Sequence, residues 1–189
     1  MSEGPLLWYL NRATGLTLLV LLTASVVLGV LSTGGRAGRG LPAFVTQHLH
    51  RNVALLSIVA LAVHVLTAVG DTFVDIRWWQ ALQPFGAEYE PLWLGLGALS
   101  LDLIAVVVIT SALRTRMSHR VWRSVHYASW GAWACAIAHT LGIGTDIDQG
   151  RLWAVVPTVA CVLAVCMAAG LRLGRSTEPT PELPIRRTS

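Results

Sequence analysis

The stretch His50-Arg51-Asn52-Val53-Ala54-Leu55-Leu56-Ser57-Ile58-Val59-Ala60-Leu61-Ala62-Val63-His64 decides the fold. After Arg51 the chain runs 19 residues to Asp71 without a charge. About 20 apolar residues at ~1.5 Å each cross the ~30 Å hydrocarbon core of a bilayer. The stretch therefore reads as a membrane helix with an imidazole near each end.

Four more runs have the same character. Uncharged segments of 23, 22 and 20 residues lie between Arg12 and Arg36, Arg123 and Asp146, and Arg151 and Arg172. A fourth, of 23 residues between Glu90 and Arg114, is interrupted only by Asp102. The runs are continuous rather than alternating, which favours helices over a barrel. The expectation is an all-α membrane protein of five transmembrane helices near 8–31, 49–70, 91–113, 122–144 and 152–173. Residues 1–173 then form one bundle, and 174–189, short and rich in proline, a disordered tail. The first run exceeds the apolar region of a signal peptide, so it reads as a mature helix.

Charge supports the same picture. Only 13% of the 189 residues are charged, against ~25% in soluble domains, and all 14 basic residues are arginine. With the amino terminus outside, 11 arginines fall inside: Arg36, Arg39, Arg51, Arg114, Arg116, Arg120, Arg123, Arg172, Arg175, Arg186 and Arg187. Only Arg12, Arg77 and Arg151 fall outside. This positive-inside bias places the carboxyl terminus in the cytoplasm of a plasma (inner) membrane protein. The acidic residues Asp71, Asp75, Glu88, Glu90, Asp146 and Asp148 fall outside, and six of the eight tryptophans lie at helix ends or in loops. The net +4 is thus topological and does not indicate a nucleic-acid partner. The segment 34–40 reads as a flexible inner loop.

Several chemistries are excluded by their missing motifs. There is no C-x-x-C, G-x-S-x-G, Walker or H-E-x-x-H sequence. Cys135, Cys161 and Cys166 read as packing residues, and Gly95-Leu96-Gly97 as a site of close helix packing.

The six histidines carry the remaining chemistry. His50 and His64 are 14 residues apart on one helix, and His126 and His139 are 13 apart on another, intervals of ~21 and ~20 Å. The two helices enter from the same side, so they are expected to pack parallel, with His50 level with His126 and His64 level with His139. Each level offers two neutral imidazoles, the axial pair for a six-coordinate b-type haem. Two such haems would make an electron path through the bilayer. Arg51 and Arg123 are candidates for the inner propionates, Arg12 and Asn11 for the outer ones. Fourteen residues leave His50 and His64 within about 40° of one face, but thirteen leave His126 and His139 about 140° apart on an ideal helix. A bend near Gly131 is expected to bring them round. His48 and His119 read as interfacial and solvated residues. Trp130 and Trp133 lie between the second pair, where either packing or lining the cofactor path accounts for them. Asp102 reads as an interior hydrogen-bonded group or as a proton or quinol site.

Four segments resemble the ferric reductase-like transmembrane domain family. They are Leu7-Trp8-Tyr9-Leu10-Asn11-Arg12-Ala13-Thr14-Gly15, Leu49-His50-Arg51-Asn52, Arg120-Val121-Trp122-Arg123-Ser124-Val125-His126-Tyr127 and His139-Thr140-Leu141-Gly142-Ile143-Gly144-Thr145-Asp146. That family includes ferric reductases, NADPH oxidases and the haem-binding membrane subunit of a bacterial methionine sulfoxide reductase system, and the resemblance covers roughly residues 5–173. It implies that His50, His64, His126 and His139 ligate two b haems and that electrons move outward from the cytoplasmic side. Only about 16 residues follow the fifth run, too few for a flavin or nicotinamide domain. The expected role is therefore the haem-binding membrane component of an oxidoreductase, without catalytic side chains of its own. Its donor would be a separate flavoprotein reductase or quinol, and its acceptor an extracytoplasmic protein or ferric chelate. The competing expectations are a proton or solute transporter built on Asp102 and the histidines, and a structural membrane subunit without haem.

Overall fold

A computed structural model describes residues 6–32, 42–71 and 76–176. The readings for Arg36, Arg39, Asp75, Arg186, Arg187, the loop 34–40 and the tail from 177 onward lie outside the described residues, as does the side chain of Arg175. The described residues are mostly helical, joined by turns and short irregular segments, and none of them is in a strand. Long helices are α1 (Leu6–Ser32), α2 (Ala43–Gly70), α4 (Pro91–Ala112) and α8 (Leu152–Ser176). Short ones are α3 (Trp78–Leu82), α5 (His119–His126), α6 (Ala128–Ile143) and α7 (Thr145–Asp148).

Among the described residues four helices, α1, α2, α4 and α8, are long and apolar enough to cross a membrane. The fifth expected helix, 122–144, is divided. Its apolar part, α6, has 16 residues and spans ~24 Å. The preceding turns form α5, which carries Arg120 and Arg123 and is too polar to lie in hydrocarbon. The joint is Tyr127, still right-handed at φ −64°, ψ −17°. Its N–H donates to Arg123 O at 3.2 Å, and its carbonyl accepts from Trp130 N at 3.1 Å, a tight three-residue turn. The distortion expected near Gly131 is an interruption of the helix four residues earlier, next to His126.

Two other boundaries moved. Helix α2 begins at Ala43 behind Pro42, six residues before the expected start, because Phe44 and Val45 extend the apolar run. Helix α8 reaches Ser176, so 174–176 are helical rather than tail.

The packing order also differs from expectation. Helix α1 contacts α2, α6 and α8, and α4 contacts α6. The main contacts do not include a direct α2–α6 pairing; α1 packs against both helices instead. Leu19 of α1, Ile137 of α6 and Cys161 of α8 form a buried cluster, with Trp133, Ala136 and Val162 packed on it. Cross-ties fix α6: Ser100 Oγ donates to Ala132 O at 2.8 Å, and Trp133 Nε1 donates to Thr23 Oγ1 at 2.9 Å. The outward surface is apolar. Leu55, Leu56, Val59 and Leu66 on α2, and Val156, Val159, Leu163 and Met167 on α8, are all exposed, as suits helices whose solvent is lipid.

Candidate functional site

The four histidines come from three helices: His50 and His64 from α2, His126 from the end of α5 and His139 from α6. At one level the His50 and His126 rings face each other with centroids 6.2 Å apart and planes at 69°. At the other level His64 and His139 line one cavity of about 350 Å³, within the ~300–1,000 Å³ typical of ligand and cofactor pockets. Its walls come from α1 (Gly15, Leu19), α2 (Leu61, His64), α4 (Gly97, Leu101) and α6 (Ala136, His139).

Three of the histidines are held the same way. The His50 ring lies 2.9 Å from Ser25 O through Nδ1, His64 Nδ1 3.1 Å from Asn11 O, and His139 Nδ1 2.8 Å from Trp93 O. A carbonyl only accepts, so each Nδ1 must carry the proton. That choice of tautomer leaves the Nε2 lone pair free, which is how second-shell carbonyls prepare a histidine to ligate a metal.

Each of these rings also rests on a glycine of the neighbouring helix. A β-carbon on Gly15 would come within 2.9 Å of His64 Cε1, and one on Gly97 within 2.7 Å of His139 Nδ1. On Gly29 the nearest approach, to His50 Cε1, is 3.5 Å. The sequence reading missed these seats, yet a signal existed. Gly15 and Gly29 are 14 residues apart, the same interval as His50 and His64 on the helix that packs against theirs. For Gly97 the expected role in close helix packing stands, with His139 of α6 as the neighbour.

His126 differs. Its Nδ1 is buried with no hydrogen-bond partner among the described residues, and so is the indole nitrogen of Trp122. The His126 ring instead stacks on Trp122, with centroids 5.0 Å apart and planes at 26°. Arg114 places its guanidinium 5.2 Å from the Trp122 ring, and the exposed His119 tilts against the same ring at 5.7 Å.

The remaining expected residues divide. Asn11 lines the cavity, but its side-chain amide is used on α2, donating to His64 O at 3.1 Å and to Thr67 Oγ1 at 3.4 Å. Arg12 lies at the same end of the cavity, ion-paired with Asp146 and stacked over Trp8 at 3.9 Å. Asp146, expected only as an outer-loop acid, is buried there and also lies 3.4 Å from Arg151. Arg51 and Arg123 are exposed. Trp130 is half-buried, whereas Trp133 is tied into the α1–α6–α8 cluster. His48 is exposed on α2. Asp102 is half-buried on α4, and no hydrogen bond or ion pair holds it among the described residues.

Among the described residues no group of three or more His, Cys, Asp or Glu side chains gathers to hold a metal ion by itself. The chemistry on offer is that of paired imidazoles. Such a pair suits a metal that brings its other ligands with it. Comparison with family models, curated proteins and solved structures returns no match.

Proposed function

We propose that this protein binds two b-type haems, one between His50 and His126 and one between His64 and His139, and conducts electrons across the membrane. The observation that carries the reading is the 6.2 Å separation of the His50 and His126 rings. Two metal–imidazole bonds of ~2.0 Å, each with about 1.1 Å from nitrogen to ring centre, give about 6.2 Å. An edge-to-face ring contact spans ~4.5–7 Å, so the spacing supports the reading together with the second pair, His64 and His139, which lines a cavity of its own.

The protein's own residues supply the rest of the fit. Ser25, Asn11 and Trp93 present main-chain carbonyls that orient three imidazoles and raise their basicity as ligands. Gly15 and Gly97 let the cavity walls approach His64 and His139. Leu19, Leu61, Leu101 and Ala136 make the cavity apolar, which suits a flat macrocycle. Arg12, at the cavity end, supplies the positive charge that a propionate would take. A bound haem contributes a one-electron iron centre, and the residues around it set its potential through ligation, hydrogen bonding and burial.

The two levels lie ~21 Å apart along α2. The exposed Arg114, Arg116, Arg120 and Arg123 gather at the end that carries His126, and this end is assigned to the cytoplasm by the positive-inside rule. The donor is then a cytoplasmic flavoprotein reductase or a membrane quinol. The acceptor, an extracytoplasmic protein or a ferric chelate, meets the end bearing Arg12 and Asp146.

The deciding experiment is pyridine haemochrome quantification on protein purified from haem-replete cells. About two b haems per chain, with a reducible low-spin spectrum, is the expected result. A colourless preparation sinks the reading and returns the histidines to packing or to proton transport with Asp102.

A further inference from the structure

The four imidazoles are not held equally. His64 and His139 each have both a carbonyl partner for Nδ1 and a glycine whose β-carbon, if it had one, would come within 3 Å of the ring. His50 has the carbonyl of Ser25 and a looser seat on Gly29. His126 has neither among the described residues. Its Nδ1 is buried and unpartnered, and the rings that face it are those of His50 and Trp122.

The backbone adds a second, independent difference. His64 and His139 lie within continuous helices, braced on both sides by further turns. His126 is the last residue of the eight-residue helix α5, and the joint at Tyr127 follows at once. A shift at that joint would carry His126 with α5 and leave α6, tied to Ser100 and Thr23, in place. An imidazole without a second-shell acceptor is also a weaker donor to a metal than one whose Nδ1–H is engaged.

We propose that His126 is the replaceable ligand, so that the centre between His50 and His126 admits a small neutral diatomic ligand on the His126 side while the centre between His64 and His139 stays closed. The inference rests on the two-haem reading. The ligand class follows from the iron that reading supplies: ferrous haem with an open axial position takes π-acceptor diatomics such as carbon monoxide. In the exchange the His126 nitrogen–iron bond breaks, the iron–carbon bond forms, and the imidazole leaves neutral. No electron or proton is consumed.

The test uses carbon monoxide on dithionite-reduced, detergent-purified protein, with haem counted separately as the pyridine haemochrome. The expected result is uptake of about one carbon monoxide per two haems. In His126→Ala the same half of the haem binds at least about tenfold more tightly, because no imidazole has to be displaced. Free imidazole then competes with the gas and restores the low-spin spectrum of that half. Two haems with no uptake in the wild type overturn the proposal and leave the haem reading intact. So does equal uptake at both centres, or uptake that disappears in His64→Ala and is unchanged in His126→Ala. Absence of haem overturns both. If His126→Ala does not accumulate, the wild-type titration still decides.

Discussion

Gly97 lies directly beneath the imidazole of His139, so close that a β-carbon would stand 2.7 Å from Nδ1 and 2.8 Å from Cε1. The same nitrogen is bonded to Trp93 O, four residues earlier on the same helix as Gly97. One turn of α4 therefore both orients the His139 ring and sets how near it may approach.

Substituting that glycine tests the relationship. Gly97→Ala and Gly15→Ala force their histidines aside, at a cost of about 1–3 kcal/mol for overpacking. Both should lower the melting temperature and disturb the spectrum of the His64/His139 haem. Gly29→Ala meets ordinary contact at 3.5 Å and should leave both haems bound. Haem-to-protein ratios and thermal melts of the three variants check this ordering.

Removing either ligand of the His64/His139 level should halve the haem. His64→Ala and His139→Ala should lose the same haem, and the double variant should lose no more than either alone. A variant lacking both His64 and His50 should lose haem at both levels. Haemochrome quantification separates these cases from general misfolding, in which all variants would fall together.

Asn11 is expected to act through His64. Asn11→Ala keeps the carbonyl that receives Nδ1 but removes the amide donor to His64 O and Thr67. The loss is about 1–3 kcal/mol for buried groups left unpaired. A shifted midpoint potential at the His64/His139 haem, with the other haem unchanged, is the expected outcome of a redox titration.

The Arg12–Asp146 pair joins α1 to the start of α7 at the end of the cavity. Asp146→Ala leaves Arg12 without its counter-charge and should destabilise the protein by about 3 kcal/mol. Replacing both partners with apolar residues should recover most of that loss. A double-mutant cycle on thermal or denaturant stability measures the coupling.

Orientation is open to labelling. On intact cells, an impermeant maleimide should reach a cysteine placed at Gln149 in a variant lacking Cys135, Cys161 and Cys166. A cysteine placed at Thr115 should react only after lysis. The reverse pattern would invert the topology and with it the direction of electron flow.

The uncharged runs and the clustered arginines carry the membrane character, because burial in hydrocarbon demands long apolar helices wherever they pack. The histidine intervals likewise follow from helical rise alone, which places residues 14 and 13 apart at matching depths. What a single sequence could not decide is which helix touches which. The His126–His139 interval leaves the two rings on different faces of an ideal helix, and only the turn at Tyr127 separates α5 from α6 there. Likewise α2 and α6 are joined through α1 rather than by a main contact of their own. The carbonyls of Ser25, Asn11 and Trp93 could not be named from their residue types, since every residue has a carbonyl and only packing chooses the one that meets a ring. The glycines were visible as letters, but their meaning lay in the imidazole resting on each. Depth and polarity are local properties that the chain encodes residue by residue. Partnership across a gap depends on how separate helices settle against one another, and it belongs to the tertiary structure.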